Sequence, residues 1–149
     1  MKPVLIVTFL LVFSFHAFSQ KEAPIHSDEI AKSGDDLLDS GDFKKALATF
    51  DRIDRNDSNY VRSLYGRALS CQADSQFTKA IQYCREALQQ TDQMELQPSI
   101  YDTYATLLDQ NGESEKSLAL FDEAIKKYPS FSKLYFNKGV VLYNKERYA

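Results

Sequence analysis

The chain has 149 residues, 44% of them hydrophobic, which suffices for one domain with a stable core and excludes a disordered tail. Lys and Arg number 18 against 21 Asp and Glu, a net charge of −3, so no basic excess is available to grip nucleic acid. Five Gly and four Pro are too few for the turns of a β-sandwich or barrel, and two His with two Cys leave little material for a zinc site.

Lys2 precedes an apolar run from Val4 to Phe15, broken only by Thr8 and Ser14. A run of about a dozen residues is too short for a membrane-spanning helix, which needs roughly 20. Ala17-Phe18-Ser19 then places small residues at −3 and −1 of a cut before Gln20. This pattern predicts a secretory signal peptide over 1–19, followed by a short linker over 20–26. No Cys follows the cut, which argues against a lipid anchor. We therefore expect an exported protein, in the periplasm or cell envelope of a bacterium or secreted, with no integral membrane segment once the leader is removed.

From Ser27 onward apolar residues recur with helical period. Ile30, Leu37 and Leu38 mark one helix, and Leu47, Phe50 and Ile53 mark a second. Ser40-Gly41-Asp42 between them is a short turn that makes the pair antiparallel. The stretch from Gly41 to Leu47 aligns with that from Ser75 to Ile81 at an offset of 34 residues. The same frame brings Gly34 onto Ala68, Phe50 onto Cys84 and Ile53 onto Ala87. Gly112 to Ser117, followed by Phe121, Ala124 and Pro129, repeats it with three extra residues near the polar stretch from Asp92 to Gln97, where a loop lengthens cheaply. A fourth copy opens with Tyr135, Gly139 and Leu142. The repeats are thus 27–60, 61–94, 98–131 and a partial copy over 132–149.

Counted within each repeat, position 8 is Gly34, Ala68, Ala105 and Gly139, and position 20 is Ala46, Ala80 and Ser117. Position 24 is Phe50, Cys84 and Phe121, position 27 is Ile53, Ala87 and Ala124, and Pro129 sits where a helix should end. In these residues the chain resembles the tetratricopeptide repeat family from about Ser27 to its end. The resemblance implies an all-α fold, a right-handed α-solenoid of antiparallel helix pairs with about three and a half repeats and a concave groove. Physical reasoning agrees. Small residues let paired helices approach, large ones fill the space between pairs, and one pair cannot bury its own apolar face, so stability comes from stacking neighbours. The last stretch, with Tyr135, Phe136, Val140, Val141, Leu142 and Tyr143, is a poor polar cap, so we expect a longer protein or pairing of this helix with another chain.

Signatures of catalysis are missing: the chain has no P-loop, dinucleotide fingerprint, nucleophile elbow or H-E-x-x-H. Asp54 to Asn59 is superficially like a calcium loop, but Asn59 stands where Gly is needed and Tyr65 where the bidentate Glu belongs. We expect no catalytic, cofactor or metal site. Cys71 and Cys84 occupy apolar packing positions, with reduced thiols as the default and a disulfide as the alternative in an oxidising compartment.

The resemblance also implies a groove along the first helix of each repeat, at positions 2, 5, 9, 12 and 13. These are Asp28, Ala31, Asp35, Leu38 and Asp39, then Arg62, Tyr65, Leu69, Gln72 and Ala73, then Ser99, Asp102, Thr106, Asp109 and Gln110, and last Lys133, Phe136, Val140, Tyr143 and Asn144. The expectation is an acidic entrance, a Tyr65 platform and a greasier far end, preferring a basic or neutral segment over an acidic one. A clamp for a chain-end carboxylate is disfavoured, because the first repeat offers no Lys, Arg or Asn at these positions. The implied function is a non-catalytic protein-interaction module or scaffold of the cell envelope that binds a peptide or protein, with self-association through the last helix as a further expectation. The alternative is an exported sensory or positioning segment of a longer signalling or outer-membrane protein.

Overall fold

The computed structural model describes residues 26–90 and 95–148. The expected signal peptide over 1–19, the linker up to residue 25 and residues 92–94 of the expected insertion lie outside the described residues. Among the described residues there are seven helices and no strand: α1 (Ser27–Asp39), α2 (Phe43–Phe50), α3 (Tyr60–Ala73), α4 (Phe77–Gln89), α5 (Gln97–Gln110), α6 (Ser114–Lys127) and α7 (Ser132–Tyr148). The chain is an all-α helical repeat solenoid. Helices α1 and α2, α3 and α4, and α5 and α6 form successive pairs, and α7 packs on α5 and α6. The first helices approach one another closely in sequence, α1 on α3, α3 on α5 and α5 on α7, whereas the backbones of α2, α4 and α6 stay farther apart. The row of first helices is therefore the tighter, concave side.

Each pair turns over in the same way. At the end of α1, Asp42 N–H donates to Leu37 O at 2.9 Å and Gly41 N–H to Leu38 O at 3.0 Å. The same two bonds recur as Gln76 to Cys71 and Ser75 to Gln72, and as Glu113 to Leu108 and Gly112 to Asp109. This closure satisfies the last carbonyls of the helix and requires a left-handed residue. Gly41 and Gly112 supply it at φ +79° and +82°, while Ser75 is held at φ +56°, a conformation that strains a residue carrying a Cβ. Elsewhere Pro98 lies in the first turn of α5, and Pro129 forces Tyr128 out of the helical region (φ −130°, ψ 62°), ending α6.

Phe50 is fully buried where three helices meet. A Cβ added to Gly34 of α1 would lie 2.5 Å from its Cζ, and one added to Gly66 of α3 would lie 2.3 Å from its Cε2. The ring is thus packed directly against two helix backbones. Ala46, Ala80 and Ser117, at the small position of each second helix, are all wholly buried, as are Ala68 and Ala105 on the first helices. Ser117 Oγ finds no hydrogen-bond partner among the described residues, a cost its alanine counterparts do not carry.

One expectation is modified. Ile53 does not lie on a helix: α2 ends at Phe50, and Ile53 is buried from the turn that follows. Arg67 of α3 explains how that turn is held. Its Nη2 donates to Phe50 O at 2.7 Å and to Ile53 O at 3.2 Å, satisfying carbonyls that a longer helix would have used. Its guanidinium lies 5.8 Å from the Tyr60 ring centroid and 5.9 Å from that of Tyr83. Nε approaches Asp51 Oδ1 at 3.2 Å as an ion pair, without the alignment of a hydrogen bond.

Cys71 and Cys84 are free, buried thiols in the core between α3, α4 and α5. Burial raises the pKa of Cys71 and pushes that of Cys84 up to about 12.

Two outcomes are expected. Gly66→Ala should destabilise the chain by about 1–3 kcal/mol through overpacking, despite a gain in helix propensity of up to ~1 kcal/mol, and the penalty should shrink in the Phe50→Leu background. Urea denaturation of the two singles and the double measures this, and an unchanged midpoint for Gly66→Ala would show that the ring is not wedged. The second concerns pH. The unfolded thiol ionises near 9 and the folded Cys84 thiol only at about 12, so its contribution is complete below the lower value and lost as pH climbs to the upper one. Denaturation midpoints across that interval should fall less steeply for Cys84→Ala than for the natural chain.

Candidate functional site

Along the concave row, the positions expected to face a ligand fall into three environments. Between α1 and α3 a cleft of about 620 Å³ opens. Asp35, Leu38 and Asp39 line it from α1, and Leu69, Gln72 and Ala73 from α3. These are positions 9, 12 and 13 of the first two repeats. Phe43, the first residue of α2, closes one end and keeps 38% of its surface exposed. Sequence reasoning missed it, because the positions expected to face a ligand all lie on the first helices, whereas Phe43 reaches the cleft from the start of α2. A second cleft of about 570 Å³ shares Phe43 and Ala73 and runs under the turn at Gly41 and Asp42.

In the middle, Tyr65 is half-buried, with its hydroxyl 3.3 Å from Thr103 Oγ1. Gln72 Nε2 donates to Gln110 Oε1 at 3.0 Å. Both contacts join α3 to α5 without charge.

At the far end α7 is uncovered, and its apolar residues divide between two stripes. Phe136 (71% exposed), Val140 and Tyr143 sit at positions 5, 9 and 12, continuing the concave row. Tyr135 and Leu142 flank Gly139 at positions 4 and 11, where the earlier repeats pack on their own second helix. A Cβ added to Gly139 would meet nothing within 4 Å, in contrast to the crowded Gly34.

The carboxylates expected to make this groove acidic are mostly engaged within the protein. Asp102 is the clearest correction. It is 2% exposed rather than open to a ligand, because α7 crosses over it. Lys133 Nζ lies 3.0 Å from its Oδ2, and Asn137 Nδ2 donates to its Oδ1 at 2.6 Å. These donors offset the cost of burying the charge, and the hydrogen bond with Asp102 raises the pKa of Lys133. Asp35 is likewise paired across the repeat boundary: Arg62 Nε donates to its Oδ2 at 3.0 Å, and Nη2 reaches the same oxygen. The two cations of the expected groove, Arg62 and Lys133, are thus both spent on carboxylates of the preceding repeat.

Asp28 accepts from Asn59 Nδ2 at 2.6 Å and lies 3.2 Å from His26 Nδ1. Asp109 accepts from Ser114 Oγ at 2.5 Å. Asp39 alone of the five has no hydrogen bond or ion pair among the described residues. Asn59, in the loop from Asp54, is itself buried and ties that loop to the start of α1 through Asp28 and Ser27 Oγ.

Among the described residues no helix is long and apolar enough to cross a membrane, and no three His, Cys, Asp or Glu gather to hold a metal. A family model described as tetratricopeptide repeat matches residues 32–95 and 105–149. A search of the curated proteins finds no match.

Proposed function

The chain belongs to the tetratricopeptide repeat family, whose repeats generally mediate protein–protein interaction, and from that premise we propose a non-catalytic interaction module of the cell envelope that holds an extended peptide or protein segment along its concave row. The observation that carries this reading is the recurrence of apolar side chains at repeat positions 9 and 12 at both ends of that row: the half-buried Leu69 and Leu38 lining the cleft, and the exposed Val140 and Tyr143 on α7, with exposed Phe136 beside them. Exposed aromatics flanked by polar neighbours are the side chains that most often dominate binding energy. Export rests on the leader pattern of residues 2–19.

Photo-crosslinking in cells tests both parts. A photoreactive residue at Gln72 or Val140 should yield protein adducts, one at Gln82, exposed on α4, should not, and Tyr143→Ala should reduce the Val140 adduct about tenfold or more. Mass spectrometry of the crosslinked chain should place its N-terminus at Gln20. Adducts equally frequent from Gln82 would overturn the groove, and an intact Met1 would overturn export.

A second reading is favoured by the open stripe around Gly139. There the repeats act as the positioning segment of a longer signalling or outer-membrane protein, or as a surface for a second copy of this chain, with a helix seated on α7. Sedimentation of the purified chain separates these: a concentration-dependent dimer that Gly139→Leu abolishes supports self-association, and a monomer at all concentrations removes it.

A further inference from the structure

We propose that the cleft between α1 and α3 is a receptor for an arginine side chain of the bound segment. This deepens the groove reading above and rests on it. The cleft has apolar walls, Leu38 from α1 and Leu69 from α3, with Phe43 of α2 also lining it, so it favours the aliphatic stem of a long side chain. No Lys or Arg lines it. Charge complementarity decides what sits at the tip of that stem. Asp39, the last residue of α1, is exposed and unpaired among the described residues, and no basic residue occupies the last turn of α1.

Asp35, one turn earlier on the same face, is only half used. Nε and Nη2 of Arg62 both bond its Oδ2, and its Oδ1 accepts no hydrogen bond among the described residues. A carboxylate retains acceptor capacity at an oxygen left open in this way. Two acceptors separated by one helical turn, roughly 5–6 Å between Cβ atoms, suit the planar fork of a guanidinium, whose five N–H donors reach two oxygens at once. An ammonium is a compact point charge without that fixed planar spread of donors. The pairing of Arg62 with Asp35 does not close the site. It holds the Asp35 carboxylate in place and leaves Asp39 as the uncompensated charge. An acidic side chain is repelled by Asp39, so the cleft both selects and rejects.

The test is a nuclear magnetic resonance titration of the isotope-labelled chain with two peptides, acetyl-Ala-Leu-Arg-Leu-Ala-amide and its twin carrying citrulline, an uncharged isostere, in place of Arg. The arginine peptide should shift the amide signals of Leu38, Asp39, Leu69 and Gln72 and bind about two- to fivefold more tightly than the citrulline twin, as expected for an exposed charged contact. Asp39→Asn, an exposed and helix-compatible change, should remove that preference, and Asp109→Asn should keep it. Equal affinity for the two peptides, or a preference that survives Asp39→Asn, overturns the arginine site while leaving the groove intact. Shifts confined to α2, α4 and α6 overturn both the site and the groove. No shift at millimolar peptide overturns the site and leaves the groove to its crosslinking test.

Discussion

The buried ring of Phe50, pressed against the backbones of α1 and α3 at Gly34 and Gly66, is the contact on which the register of the first two repeats depends. A helix pair has an apolar side it cannot cover alone, and a stack of pairs is stable only when neighbours approach closely enough to exclude water. Removing two β-carbons around one large ring achieves that approach at the first junction. Arg67 then completes it from the other side, since the same turn that follows Phe50 gives up its carbonyls to a side chain of the next repeat. The packing between repeats and the termination of α2 are therefore one arrangement.

The fold was legible because its information is periodic. Gly34, Ala68 and Ala105, or Ala46, Ala80 and Ser117, report one requirement, a small residue where helices cross, and their spacing alone identifies the helix pairs. Local chemistry was legible for the same reason: Gly41 and Gly112 mark turns that need a left-handed residue, and the frame places Ser75 at the equivalent point despite its side chain. The candidate site was legible only in part. Repeat positions indicate which side chains lie on the concave row, and Asp35, Leu38 and Asp39 do line the cleft. They do not indicate how one repeat slides against the next, which decides whether Asp102 faces solvent or lies beneath α7 between Lys133 and Asn137. Phe43 escaped for a related reason, since its exposure depends on the angle at which α2 leaves the turn.

Charge on the concave row is consequently a poor guide to what it binds. Read by type, its carboxylates suggest a broad acidic surface. Arg62 and Lys133 neutralise Asp35 and Asp102, Asn59 and Ser114 occupy Asp28 and Asp109, and only Asp39, at the end of α1 with apolar walls beside it, has no side-chain partner among the described residues. On the proposed reading, such a cleft would discriminate one side chain of a partner at a time, with the remainder of the row contributing shape and apolar area.

The contacts that link successive first helices also differ in kind along the chain, and this has a mechanical consequence. The joint between α1 and α3 carries the ion pair of Asp35 with Arg62, and the joint between α5 and α7 carries that of Asp102 with Lys133. The central joint, α3 on α5, carries the neutral pairs of Tyr65 with Thr103 and Gln72 with Gln110. Dissolved salt screens the first kind, most strongly where the pair is exposed, and leaves the second nearly untouched. The polar links between successive first helices are thus of three unequal characters along the row. Rising ionic strength weakens the link of Asp35 with Arg62 most, the partly shielded one at Asp102 less, and the central one least, so the first cleft responds to a change of medium before the middle of the row does.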